Sequence, residues 1–443
     1  MKIVIAPDSF KENLTSMEVA TEIEAGLRRV WPKARCVKIP MADGGEGTVQ
    51  SLVDATGGKL VECMVTAPLG EKVKAVYGLL GGGRTAVIEM AAASGLPLVP
   101  RDRRNPLLAT SYGTGEMLLH ALRGGAREII IGIGGSATND CGAGMAQALG
   151  VRFSDAAGNA ITELLGGGML DRIARIDMTG LASEIRRATI HVACDVTNPL
   201  CGPNGASHVY GRQKGATPEM IETLDRNLAH LAAIVKRDLG IDVAGRPGAG
   251  AAGGMGAALI AFTGATLKRG VELVVEATRL EKHMQGAALA ITGEGRVDFQ
   301  TAFGKTPSGV AMAARRHGVP VIAIGGGLAD DAGGVFAHGI DGLETATPNA
   351  MDLDVAIRKS RQYLQDAGER VARLIAIGQR MARKSGAGGS RKTATTRPKK
   401  KSAARAAKAR AKVRPKAQAR TASRASRKTT SRRSASAARA SRG

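Results

Sequence analysis

The apolar positions of the chain fall in short unbroken runs, each closing on small and polar residues before a stretch of helical spacing begins. Lys2 to Ala6 is the first such run, followed by the loop Pro7-Asp8-Ser9-Phe10-Lys11. Thr15-Ser16-Met17-Glu18 has capping-box spacing and predicts a helix to about Val30. Cys36 to Ile39 predicts a second strand, ending in Pro40-Met41-Ala42-Asp43-Gly44-Gly45-Glu46-Gly47-Thr48, with another helix to about Ala55. Strand, helix, strand, helix with short connections implies a parallel sheet covered by helices. From Leu60 to Glu89 the pattern changes. β-like runs at Val61–Thr66, Lys72–Leu79 and Thr85–Glu89 alternate with Gly and Pro, so an antiparallel element or a new domain is expected from near Ala67.

The stretch Glu128 to Gly150 dominates the middle of the chain. Ile129-Ile130-Ile131-Gly132-Ile133 reads as a strand buried on both faces, and Gly134, Gly135, Ser136, Thr138, Asn139 and Asp140 follow before an Ala-rich helical run. A strand that breaks into small residues and enters a helix leaves free N–H groups at one point, which makes either a tight turn or an anion site. Thr189 to Ala193 repeats the strand pattern and ends in Cys194-Asp195-Val196-Thr197-Asn198-Pro199. Pro218 to Leu239 predicts a long amphipathic helix, and Pro247 to Gly256 is the most glycine-dense loop. Ala287 to Ile291 predicts another strand, with Thr292-Gly293-Glu294-Gly295-Arg296-Val297-Asp298 as the loop beyond it. Pro320 to Ile324 is expected to be the last strand, ending in Gly325-Gly326-Gly327, and a closing helix is expected from about Asp354 to Met381.

The net charge of +24 suggests a nucleic-acid protein until it is divided along the chain. From Met381 onward there are 22 basic and no acidic residues, which leaves 41 basic against 39 acidic before it, a net charge of +2. The first 380 residues are therefore an ordinary near-neutral globular chain of about two domains. The tail, 381–443, lacks aromatics and has almost no aliphatics, and is expected to be disordered. It either binds DNA, RNA or another polyanion without sequence preference, or is a solvated extension or frame artefact with no role. Five cysteines without a C-x-x-C pair fit free thiols in a reducing cytoplasm. Ala251 to Leu267 is apolar but built largely of Gly and Ala, so no membrane span is expected.

Asp8, Asp43, Asp140, Asp195 and Glu294 each lie just beyond an apolar run. One such acid is usually a helix N-cap. Five at equivalent places suggest strand ends meeting around a polar, metal-dependent site. Phosphoryl transfer needs cations and N–H donors around phosphate, carboxylates for Mg²⁺, and a group to orient the attacking hydroxyl. The chain offers Lys11, Lys214, Arg296 and Lys305 as cations, those acids, and three Gly-rich loops. Gly304-Lys305-Thr306 matches the end of a Walker A motif, but Phe299 stands where its first glycine belongs. A competing outline, Gly132-x-Gly134-x-x-Ala137 with Asp155 further on, is that of a dinucleotide-binding hydroxy-acid dehydrogenase. No G-x-S-x-G supports a serine hydrolase.

Seven ordered motifs closely resemble the bacterial glycerate kinase family, of the glycerate 2-kinase type. They are Asp8-Ser9-Phe10-Lys11, Ala42 to Thr48, Gly134 to Asp140, Cys194 to Leu200, Gln213-Lys214-Gly215, Gly250 to Gly254 and Thr292 to Asp298. The resemblance covers about Met1 to Ile377. It implies ATP and Mg²⁺, D-glycerate as acceptor, and phosphorylation at the 2-hydroxyl in preference to the 3-hydroxyl. The implied fold is α/β: a Rossmann-like parallel-sheet domain (1–66 and 286–380), a second α/β domain inserted at 67–285, and the tail. Asp195 is expected to contact the acceptor hydroxyl or Mg²⁺, with Asp43 and Glu46 as rivals and Asp298 as a second metal ligand. Lys11 is placed with the catalytic residues, and with Arg296 is a candidate for the glycerate carboxylate or phosphate. Substrate and phosphates are expected to fall to Asp8, Ser9, Gly134, Gly135, Ser136, Thr138, Asn139, Asp140, Gly253, Gly254, Glu294, Arg296 and Lys305. One position departs from the pattern. Glycine is expected after Asn139-Asp140, and this chain has Cys141. If φ there is positive, the cysteine costs about 1–2 kcal/mol.

Overall fold

In the computed structural model, residues 1–388 are described: the last helix runs to Gly388, eight residues into the segment 381–443 expected to be disordered, and the rest of that basic tail, from 389, lies outside them. Thirteen strands occur among the described residues: β1 (Lys2–Ile5), β2 (Arg35–Lys38), β3 (Lys59–Thr66), β4 (Lys72–Leu79), β5 (Thr85–Glu89), β6 (Glu128–Gly132), β7 (Arg152–Ser154), β8 (Arg175–Asp177), β9 (Thr189–Ala193), β10 (Thr266–Lys268), β11 (Leu289–Val297), β12 (Val321–Leu328) and β13 (Gly342–Thr345). They form a five-stranded sheet in the order β13-β12-β11-β1-β2, a six-stranded sheet in the order β10-β9-β6-β5-β4-β3, and the pair β7-β8. The five-stranded sheet is parallel throughout. In the second sheet only β3, β4 and β5 are joined antiparallel. The chain leaves the first sheet after β2 and returns to it at β11, which sits between β1 and β12.

Local chemistry starts the first helix where the spacing predicts. Thr15 N–H donates to Glu18 Oε2 at 2.9 Å and Glu18 N–H to Thr15 Oγ1 at 3.3 Å, closing the capping box of the helix Ser16–Val30. β6 is buried at every position after Glu128, since helices cover both faces of its sheet. Residues 1–385 form one compact unit, and one cluster of apolar side chains runs from Val4 and Ala290 in the first sheet to Ile130 and Ala193 in the second.

Three expectations are corrected. β11 does not end at Ile291 but continues through the motif to Val297, because Glu294 pairs with Gly325 and Arg296 with Gly327. The glycines leave that edge free of side chains, so the ladder outruns the apolar run. β12 is not the last strand: β13 follows, four half-buried residues whose Gly-Leu-Glu-Thr sequence carries no apolar signal. The closing helix is two helices, Leu353–Arg358 and Ser360–Gly388, separated at Lys359.

Candidate functional site

The carboxyl end of β2 leads into the Asp43-Gly44-Gly45 loop, and this loop reaches across to the second sheet. A Cβ on Gly270 would stand 1.8 Å from the Asp43 carbonyl oxygen, and one on Gly132 would stand 2.5 Å from that of Gly44. Only glycine at those two positions lets the loop lie on the ends of β6 and β9. Asp43 is thereby brought beside Asp195, which follows β9. Asp43 Oδ1 accepts the Gly45 N–H at 3.0 Å, and Asp195 Oδ1 accepts the Gly270 N–H at 3.1 Å. Both acids line a cavity of about 290 Å³. Partial burial raises the Asp195 carboxyl above the usual range, and the neighbouring charge of Asp43 adds to the effect.

The opposite wall is the loop after β6. Gly134 and Gly135 present exposed backbone to the cavity, while Ser136, Thr138, Asn139 and Asp140 are buried. Lys214 is wholly enclosed. Its Nζ donates to Ser136 Oγ at 2.7 Å and to the Thr138 carbonyl at 2.5 Å, and the side chain lines the same cavity. Burial lowers its pKa to about 7, with Asp140 acting in the opposite direction. Asp140 is the brace of this loop. Its carboxylate accepts the Ser111 N–H (2.8 Å) and hydroxyl (2.6 Å), the Gly142 N–H (3.1 Å) and the Gly144 N–H (3.2 Å). Asn139 Nδ2 donates to Ser207, while Asn139 Oδ1 and Thr138 Oγ1 have no partner among the described residues. Cys141 follows with φ +47°, so the departure from glycine falls at a left-handed position. Its thiol is buried and its pKa pushed up by loss of solvent.

Gly253 and Gly254 are packed on the back of this loop. A Cβ on Gly253 would meet the Thr138 carbonyl oxygen at 2.1 Å, and the Gly253 carbonyl accepts the Cys141 N–H at 3.0 Å. The expected phosphate contacts at these two glycines are therefore backbone contacts within the protein. Ala252, held at φ +55°, lines the cavity instead. A non-glycine residue kept in that region marks strain that the surroundings maintain.

On the first-sheet side, Asp8 is buried at the end of β1. It accepts the Ser9 N–H at 2.7 Å and the Thr306 hydroxyl at 2.5 Å. Burial, then the charges of Asp43 and Glu294, raise its pKa to about 7. Glu294 accepts the Thr301 hydroxyl at 2.6 Å and faces Lys305 at 3.5 Å; burial raises its pKa. Asp298 caps a short helical turn through the Thr301 N–H and lies 3.6 Å from Lys305. Carboxylates thus follow one another from Asp195 through Asp43, Asp8 and Glu294 to Asp298.

Of the other expected residues, Lys11 is exposed and lines the Asp43–Asp195 cavity together with two adjoining ones. Glu46 and Ser9 line one of these, of about 220 Å³, and Arg296 lines the other. Asp155 takes no part: it closes the turn between β7 and β8 by accepting the Ala157 and Asn159 N–H groups, outside both large sheets. The dinucleotide outline therefore lacks its second parallel strand. Lys214 stood among the available cations, but no spacing rule aims it at Ser136. Tyr210 and Gln213 also line the cavity without having been expected there. Ser111, 29 residues before Asp140, had no sequence signal for its bracing role.

No group of three or more His, Cys, Asp or Glu poised to hold a metal occurs among the described residues. Mg²⁺ in phosphoryl-transfer sites commonly takes one or two carboxylates and completes its shell with phosphate and water. Asp43 and Asp195 on one cavity fit that donor set. Five free cysteines are present, and no helix of the described residues is long and apolar enough to cross a membrane.

Residues 3–376 match the glycerate kinase family. A glycerate kinase of Bacillus subtilis (strain 168) is 54% identical over 383 residues, covering 86% of this chain and 99% of the relative. A glycerate 2-kinase of Escherichia coli (strain K12) is 54% identical over 382 residues, covering 86% and 100%. A crystal structure from Salmonella typhimurium LT2, provisionally named glycerate kinase 2, superimposes with a TM-score of 0.79 at 53% identity, covering 86% of this chain and 99% of that one.

Proposed function

The chain belongs to the glycerate kinase family, and from that premise we propose that it transfers the γ-phosphoryl group of ATP to the 2-hydroxyl of D-glycerate, in the cytoplasm. The observation that carries this reading is the cavity in which Asp43 and Asp195 share one space with Lys214 and the Gly134–Ser136 backbone. A small hydroxy acid needs a cation and N–H donors for its carboxylate and an acid–base group at its hydroxyl, and the cavity has both. Lys214 and the Gly134-Gly135 backbone hold the anionic end. Asp195 accepts the hydroxyl proton as the oxygen attacks phosphorus; its raised pKa brings it nearer the operating pH of a general base. Lys11, at the junction of the cavities, balances charge on the transferring group.

Bound Mg²⁺ would supply neutralisation of phosphate charge. Asp43 would hold it, leaving Asp195 to the acceptor hydroxyl. Asp298 is less suited than the sequence pattern suggested, because its carboxylate already caps Thr301 and faces Lys305. Identification of the product from D-glycerate and MgATP by ³¹P NMR tests the reading. 2-Phosphoglycerate is expected. 3-Phosphoglycerate would keep the kinase and overturn the regiochemistry, and neither isomer would overturn both.

For the basic segment 389–443 the proposal is sequence-independent binding to a polyanion such as DNA, separate from catalysis. Retention of the full chain on duplex DNA should fall steeply with salt, log K dropping by roughly 0.9 per phosphate neutralised. A chain ending at Gly388 should keep its kcat and lose retention. Retention that survives the truncation would move the binding surface into residues 1–388.

A further inference from the structure

Beside the Asp43–Asp195 cavity lies a second one, of about 370 Å³, at the carboxyl ends of β11, β12 and β13. Its character is different. Phe10, Leu328, Met351, Leu353, Ile357 and Tyr363 give it a largely apolar wall, in a chain with only six Phe and four Tyr. At its rim stand Lys11 and Arg296. Among the described residues neither has an ion-pair or side-chain hydrogen-bond partner, whereas Lys305, Arg361 and Arg370 on adjacent elements are all paired. Two unpaired cations beside an apolar hollow suit a ligand with an apolar body and an anionic end.

The backbone leaves room for that end. Gly295, Gly326 and Gly327 line the same cavity, and a Cβ built on Gly327 would enter open space. Glu12, also on the rim, is exposed, unpaired among the described residues and held at φ +60°. A carboxylate there can accept hydrogen bonds from vicinal hydroxyls, as acids at the ends of Rossmann-type strands do for ribose. The volume falls within the range of about 300–1,000 Å³ for small-molecule sites, and the position is the crevice beyond the carboxyl ends of a parallel sheet.

We infer that this hollow receives the base and ribose of the phosphoryl donor: the base against Tyr363, Met351 and Ile357, the ribose hydroxyls at Glu12, and the phosphates at Arg296 and Lys11. This rests on the phosphotransfer reading above. Lys11 lines both this cavity and the one holding Asp195, so a triphosphate leaving the hollow past Lys11 points its terminal phosphorus at the acceptor site. Donor and acceptor then approach from different sheets and meet at one cation.

The test measures binding as well as turnover. ADP and adenosine are titrated calorimetrically into the full chain and into Ala356→Trp, which fills the hollow, and Arg296→Met, which removes a rim cation. Ala356→Trp should weaken both ligands by at least about tenfold, with D-glycerate affinity within about twofold of wild type. Arg296→Met should weaken ADP and leave adenosine unchanged. Leu353→Glu, at a side chain 73% exposed, gives a second perturbation should the tryptophan variant fail to fold, and should also weaken adenosine. Unchanged ADP affinity in a folded Ala356→Trp or Leu353→Glu, in a protein that still phosphorylates glycerate from ATP, overturns the hollow as donor site and leaves the kinase reading intact. Wild-type protein that neither binds adenine nucleotides nor phosphorylates glycerate overturns the kinase reading itself, and the donor site with it.

Discussion

The loop that walls the Asp43–Asp195 cavity and the rim of the hollow beside it are built on opposite principles. The loop after β6 is braced from within beyond its two exposed glycines: Asp140 gathers four donors from Ser111, Gly142 and Gly144, and Lys214 is tied to Ser136 and Thr138, with only Thr138 Oγ1 and Asn139 Oδ1 left unmet among the described residues. The rim of the neighbouring hollow, at Lys11 and Arg296, is exposed and leaves these cations unpaired among the described residues. A buried network holds its geometry because each unmet bond would cost desolvation energy. An exposed cation keeps its bonding capacity for a ligand that arrives and leaves. The braced wall suits a small acceptor needing one orientation, and the open rim suits a larger donor whose product must depart.

The sharpest test of this contrast is Asp195, which opens to the cavity and makes one protein hydrogen bond, to Gly270. Asp195→Asn should fold normally and lose on the order of 10²–10⁴ in kcat. Turnover near wild type in a steady-state assay would remove it from the chemistry.

Lys214 separates buried function from buried support. Lys214→Met should lose about 10²–10³ in kcat/KM, the scale of a lost charge-stabilising donor. Its Tm should move little, since relief of the desolvated charge is set against the donor lost by Ser136 Oγ and the Thr138 carbonyl. With a pKa near 7 against the ordinary 10.5, the lysine loses its proton as pH rises through 7. The KM for glycerate should therefore rise above pH 7 in wild type and stay flat in the variant.

Asp140 should behave in the reverse manner. Asp140→Ala strands the N–H groups of Ser111, Gly142 and Gly144 and should destabilise the fold by about 3 kcal/mol or more in urea unfolding, at roughly 1–3 kcal/mol per unmet buried group. A small loss would show that the loop has another brace.

Asp8 gives a pH signature. Its folded pKa of about 7 lies above the ordinary 3.8, so the native state holds the extra proton between those values. That contribution is complete below about pH 4 and is lost as pH rises through 7. Asp8→Asn should remove this decline from the dependence of Tm on pH; an unchanged profile would assign the decline to other groups.

Cys141→Gly is the mildest change. Relief of the left-handed strain, about 1–2 kcal/mol, is offset by the packing lost with a buried thiol, so stability should move by no more than that and activity should persist. Loss of substrate binding in that variant would give the thiol a role beyond packing.

Much of this was legible in the chain itself. Apolar runs ending in acids and glycines announced a parallel sheet, the Thr15–Glu18 capping box announced the first helix, and the seven motifs pointed to the glycerate kinase family, because those signals are local. Charge counted along the chain set the basic tail apart from a near-neutral body. Other features needed the fold. β13 escaped because four half-buried residues carry no periodicity, and β11 outran its apolar run because its ladder is held by glycines of β12. No spacing rule separates Asp140, turned inward to Ser111, from Asp195, turned outward to the cavity; both follow a strand and both carry a raised pKa. What distinguishes them is which donors the tertiary structure brings within reach. For Lys214 and Ser136 those contacts span 78 residues of sequence, so only the folded chain could decide which group is support and which is free to meet a substrate.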